Sequence, residues 1–192
     1  MSFMARGAAP VAVLLLLLTG CGGSDTPSPG SSGLSADEQT AADNLAAQIV
    51  RSGQVSGESS AQDAVTAGQA RCIAEGAVGR IGLASLQDYG IVTADLKVNK
   101  EIQGVAMSGD DASALADVFV GCIDAEGLFE KKFLAALPGK PDPAVEACVR
   151  KAVDTASVTA VLSASFQGRT GGVYERLQKK VSACTRRGGT GQ

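Results

Sequence analysis

The chain has 192 residues, with 17 Lys and Arg against 20 Asp and Glu, a formal net charge of −3 and no histidine. That balance gives no footprint for nucleic acid, whose phosphates need clustered Lys and Arg. Without histidine there is no imidazole-activated nucleophile, no imidazole metal ligand and no ordinary near-neutral proton shuttle. The length suits a targeting segment, a linker and one domain. With five Phe, two Tyr, no Trp and 24 Gly, the core must rely on small side chains. These let helices approach closely but bury less apolar area, at ~25 cal/mol per Å².

Met1 to Gly7 carries one charge, Arg6, and Ala8 to Leu18 is an apolar run ending in five leucines. That run is too short for a transmembrane helix, which needs about 20 apolar residues, and has the build of a signal segment. Leu18-Thr19-Gly20-Cys21 closes it: a branched apolar residue, two small residues and a cysteine. The tetrapeptide resembles the lipobox of bacterial lipoproteins. The resemblance implies that residues 1–20 are a cleaved signal peptide and that Cys21 carries a thioether-linked diacylglyceryl group, with acyl chains such as palmitate. It places the protein at the extracytoplasmic face of the cell membrane, with the membrane itself as partner. Two acyl chains at ~0.8 kcal/mol per buried CH₂ make a durable anchor. An ordinary secretory signal would instead leave Cys21 as a spare thiol.

Residues 21–34 form a tether. Gly22 to Gly33 holds Gly, Ser, Pro, Thr and Asp with nothing apolar to pack, and as a flexible coil reaches ~20 Å. The body, residues 35–187, reads as all-α, with six to seven helices, and 188–192 as a loose tail. Ser35 and Glu38 have capping-box spacing, followed by a helix from Ala36 to about Arg51 with Ala42, Leu45, Ala46, Ile49 and Val50 on one face. A second helix is expected after Ser60, through Cys72 to about Val78. Its Gly68, Gly76 and Gly79 each cost ~1 kcal/mol in a helix interior and mark either close helix contact or a bend. Leu83 to Tyr89 is a short helix stopped at Gly90, which can take a left-handed cap. Residues 91–107 read as an irregular crossover.

Ser108-Gly109-Asp110-Asp111 starts the next helix, with Leu115, Val118, Phe119, Cys122 and Ile123 on its buried face. Leu128 to Leu137 follows, with Phe129 and Phe133 inward, ended by Pro138. Asp142-Pro143 is a cap followed by proline at the first helical position. It opens a stripe of Val145, Cys148, Val149, Ala152 and Val153, continued or restarted by Val158, Val161, Leu162 and Phe166. Val173 to Thr185 is the last helix.

Setting Cys21 aside leaves Cys72, Cys122, Cys148 and Cys184. An even number in an exported protein points to two disulfides, with three pairings open. Leu115-x3-Phe119-x2-Cys122 is echoed by Leu177-x3-Val181-x2-Cys184, and each early cysteine is followed by an apolar residue. The chain therefore reads as two weakly similar halves, each with one early and one late cysteine, which favours Cys72–Cys122 and Cys148–Cys184. Each bridge is worth ~4 kcal/mol in the chain-entropy model. The spacings fit no zinc pattern and no CxxC occurs. Through Ala70-Arg71-Cys72-Ile73, Val120-Gly121-Cys122-Ile123, Glu146-Ala147-Cys148-Val149 and Ser182-Ala183-Cys184-Thr185, the body resembles uncharacterised actinobacterial helical two-disulfide lipoproteins. The resemblance implies an architecture and no activity.

Candidate chemistry is sparse. Asp110, Asp111 and Asp117 are the densest acidic group, and Asp111 reads better as a helix start. Asp88, Asp95 and Glu101 fail calcium-loop spacing. Ser157, Ser163 and Ser165 lack a G-x-S-x-G elbow and a base, and Gly168 to Gly172 lacks the lysine of a phosphate loop. Lys131, Lys132, Lys179, Lys180, Arg186 and Arg187 form small basic clusters that suit weak contact with anionic lipid. The sequence thus points to a non-enzymatic envelope binding or interaction module, without catalytic residues, metal or cofactor. One alternative is a carrier of a lipid or other apolar ligand, with a cavity lined by Phe119, Phe129, Phe133 and Phe166. A carboxylate-based enzyme is the other.

Overall fold

The computed structural model describes residues 33–55, 65–100, 105–137, 139–169 and 171–188. The segment 1–20 read as a signal peptide, Cys21, most of the stretch read as a tether, Glu101, Pro138 and residues beyond 188 lie outside the described residues. Among the described residues the chain is all-helical: α1 (Ala36–Val55), α2 (Ala67–Ile81), α3 (Leu83–Asp88), α4 (Gly109–Cys122), α5 (Ala125–Ala135), α6 (Pro143–Ala152), α7 (Thr155–Phe166) and α8 (Gly171–Gly188). These eight exceed the six to seven expected, because the stripe opened at Val145 restarts. Val153 leaves helical geometry at ψ 65° and Asp154 caps a new helix, accepting from the Ser157 N–H at 2.7 Å.

Most helix starts are written locally. At α1 the Ser35 N–H donates to Glu38 at 2.8 Å. At α4 the Ser108 hydroxyl accepts from the Asp111 N–H at 3.2 Å, and at α6 Asp142 accepts from the Ala144 N–H at 2.7 Å ahead of Pro143. Two starts differ from expectation. The second helix begins at Ala67, several residues beyond Ser60, because Thr66 and Gln69 form a reciprocal capping box. The fifth begins at Ala125, ahead of Leu128, because Asp124 accepts from the Gly127 N–H at 2.9 Å. Gly90 takes φ +69° immediately after the third helix, the left-handed stop anticipated there.

Two hydrophobic cores organise the body. The first unites Ala41, Ala42 and Leu45 of α1, Ala74, Ala77, Val78 and Ile81 of α2, Leu86 of α3, and Ala112 and Leu115 of α4. Val92 and Met107 join it from the segment expected to be an irregular crossover. The described parts of that segment, 91–100 and 105–107, are irregular but packed against this core. Val92 and Val98 form an isolated antiparallel bridge around a turn in which Leu96 takes φ +62°, and Asn44 of α1 donates to the Leu96 carbonyl at 2.9 Å. The second core gathers Phe133, Val145, Val149, Val153, Val158, Val161, Leu177, Val181 and Cys184 from α5 to α8.

Each core is stapled. Cys72–Cys122 joins α2 to α4, and Cys148–Cys184 joins α6 to α8, with Cα–Cα separations of 5.7 and 5.6 Å. The pairing is the one the internal echo favours. One helical turn from the first bridge, an ideal Cβ on Gly76 would stand 2.6 Å from Val118 Cγ1. Cys72–Cys122 and Gly76–Val118 are thus successive rungs of one antiparallel helix pair, and Gly76 is the glycine that close contact requires. A Cβ on Gly68 would meet open space and one on Gly79 would make only ordinary contact with Leu34, so neither needs that explanation. The halves meet where α4 lies along α7, with the Phe119 and Phe166 ring centroids 5.4 Å apart.

Candidate functional site

α7 is built from small and β-branched residues. Its Val158, Val161 and Ala164 are buried, while Ala156, Thr159, Ala160, Ser163 and Ala164 border an open groove of about 570 Å³. Ser113 of α4, Gln167, Arg169 and Val173 complete the border. Ser163, 8% exposed, is the buried polar residue of the described chain. Its hydroxyl lies 3.1 Å from that of Ser113 and accepts from Gln167 Nε2 at 3.0 Å. The Ser113 hydroxyl reaches the Gly109 carbonyl at 2.8 Å, and Arg169 donates to Gln167 Oε1. These polar groups satisfy one another, and no carboxylate borders the groove. The arrangement offers shape and a hydrogen-bonded floor, with no base to activate either serine.

The other singled-out side chains are dispersed. Asp111 is drawn into the α4 start: Tyr89 donates to it at 2.6 Å, Ser108 donates to it at 3.0 Å, and the Ser108 N–H donates to the Tyr89 hydroxyl at 3.0 Å. This junction ties the end of α3 to α4 across 22 residues. Asp88, Asp110 and Asp117 are exposed. Asp95 pairs with Lys97, whose ammonium hydrogen bond holds the carboxyl below its ordinary range, with a further contribution from Thr93; Asp95 in turn raises Lys97. The Asp154 carboxyl is lowered by the Ser157 hydroxyl and then by the Ser157 N–H, and Glu38 by the backbone and hydroxyl of Ser35. These are cap and surface interactions, and none of these carboxylates lies in the groove. Ser157 also accepts from Lys180 at 3.0 Å, and Ser165 is exposed.

The four phenylalanines do not border the groove. Phe119 and Phe166 pair with each other against the first core. Phe129 lies 6.5 Å from Phe133, which stacks on Tyr174 at 6.1 Å in the second. Among the described residues no group of His, Cys, Asp and Glu is placed to hold a metal ion, and no helix is long and apolar enough to cross a membrane.

The charge distribution escaped the reading of net charge. The described residues between 33 and 119, which hold most of the first core, include nine acidic and five basic residues; the described residues between 120 and 188 include seven acidic and eleven basic. The signal was available, but only once the two cores show where to divide the sum. On α8 the buried face is Leu177, Val181 and Cys184, and Arg176, Lys179, Lys180 and Arg186 are exposed. Arg176 folds back along its helix, its Nη1 3.8 Å from where a Cβ on Gly172 would stand.

These features define an all-α domain of two disulfide-stapled halves with a groove along α7 and a basic C-terminal helix. No family model, no curated protein and no solved structure matches the chain.

Proposed function

We propose that the protein is a lipid-anchored envelope protein whose helical body acts as a non-enzymatic binding or interaction module on the extracytoplasmic face of the cell membrane. The observation that carries this reading is the cysteine pairing. Four of the five cysteines stand in two disulfides, bonds that persist in oxidising, extracytoplasmic compartments. The remaining one is Cys21, placed where a lipobox has its modified residue. The tether between Cys21 and the body would keep the domain within ~20 Å of the bilayer. The dispersal of the carboxylates and the lack of a base beside Ser113 and Ser163 favour binding over catalysis.

Replacing Cys21 with Ser removes the only atom that can form the thioether. The variant should leave the membrane fraction, or accumulate with residues 1–20 uncleaved, while the parent chain partitions with detergent. A Cys21→Ser protein that is cleaved and fractionates with membranes as the parent does would overturn the anchor.

A further inference from the structure

The exposed face of α8 and the groove end beside it form one basic edge, and we infer that this edge docks onto an anionic phospholipid surface. The inference deepens the envelope reading and rests on it for the biological setting. Arg169 stands at the groove border, Arg176 lies over the first turn of α8, and Lys180 reaches across to Ser157 beside Ala156 of the groove wall. Lys179 and Arg186 continue the edge on the solvent side of the same helix, where Glu175 is the exposed acidic residue, while Lys180 also acts on Asp154. The apolar residues of α8 are turned into the second core, so the edge has no hydrophobic wedge to insert and acts by charge. Arg150 of neighbouring α6 is already committed to Glu130 at 3.1 Å and adds less.

The complementary charge is specified by what surrounds this surface. The first half carries the acidic excess, so a bilayer bearing anionic headgroups attracts one side of the molecule and repels the other. The result is an orientation as well as an affinity. Each Lys or Arg adds only a modest attraction near such a surface, so a free domain binds weakly and measurably only at high lipid concentration. A short tether changes that: it supplies an effective concentration in the millimolar range, so a weak contact is occupied most of the time. The basic edge faces the membrane, while the tether enters the body at the start of α1.

The test uses residues 21–192 carrying Cys21→Ser, so that no lipid contributes. Failure here therefore leaves the anchor experiment untouched, and the reverse also holds. Co-sedimentation is measured with phosphatidylglycerol-containing vesicles and with pure phosphatidylcholine vesicles. Binding should require phosphatidylglycerol and disappear as salt rises from about 0.1 M to about 1 M, where the screening length falls from ~10 Å to ~3 Å. Arg176→Glu/Lys179→Glu/Arg186→Glu should weaken it at least about ten-fold. Arg51→Glu/Arg80→Glu/Lys100→Glu, the same charge change on exposed positions of the first half, should alter it by less than about two-fold. Circular dichroism melts of both triple variants check that each is folded. Three results would overturn the inference: equal binding to both vesicle types, equal loss in both triple variants, or retention by soluble polyaspartate with no binding to vesicles.

Discussion

The two halves hold their helices together by different means. In the first, the partners are small: Ala41, Ala42, Ala74, Ala77 and Ala112 are buried, and Gly76 allows α4 to approach until Val118 fills the space a Cβ would occupy. In the second, valines and rings do the work, with Val145, Val149, Val153, Val158 and Val161 around Phe133 and Leu177. Small side chains gain close backbone approach at the expense of apolar area per residue, whereas valines gain area with stiff rotamers. A chain with few aromatics can use both, and each half adds a bridge that no side-chain packing can replace.

Breaking a bridge gives the largest expected effect. The sequence separations of 50 and 36 residues enter the loop-entropy estimate only logarithmically. Cys72→Ala/Cys122→Ala and Cys148→Ala/Cys184→Ala should therefore each lose ~4 kcal/mol, a large share of the 5–15 kcal/mol of a typical domain. What should differ is location. Hydrogen exchange should show first loss of protection in α2 and α4 for one variant, and in α6 and α8 for the other. The same pattern of opening in both variants would show that the two cores are one cooperative unit.

A smaller change separates the packing modes. Gly76→Ala gains about 1 kcal/mol of helix propensity but must displace Val118, and overpacking of this kind costs ~1–3 kcal/mol. Its net effect should be destabilising by about 1 kcal/mol, and relieved when Val118→Ala is added. Gly68→Ala, with open space around it, should instead stabilise by up to ~1 kcal/mol. Thermal melts decide both. If the two glycine substitutions behave alike, the close rung between α2 and α4 is not what holds the first half together.

How much of this was legible follows the range of the interactions. Starts fixed within three or four residues, such as Ser35 with Glu38, Ser108 with Asp111 and Asp142 with Pro143, could be read directly. So could the bridges, because the echo around Cys122 and Cys184 preserves spacing. The Thr66–Gln69 box lay in plain sight but was masked by the polar run that precedes it. The packing of 91–100 could not be read, since it depends on Asn44 holding the Leu96 carbonyl from a distant helix. The groove was equally hidden: Ser163 becomes a floor only because α4 brings Ser113 to it across 50 residues. The basic edge was half visible, as small lysine and arginine clusters whose common side of the molecule only the fold supplies.

We propose that Cys21 anchors the chain, while the other four cysteines staple the body in pairs. This division is tested most directly by a non-reduced peptide map of the protein taken from the membrane fraction. The map should contain a Cys72–Cys122 peptide pair, a Cys148–Cys184 pair, and an N-terminal peptide that begins at Cys21 and carries the mass of a diacylglyceryl group. A Cys122–Cys148 pair, or an unmodified Cys21 thiol, would contradict it.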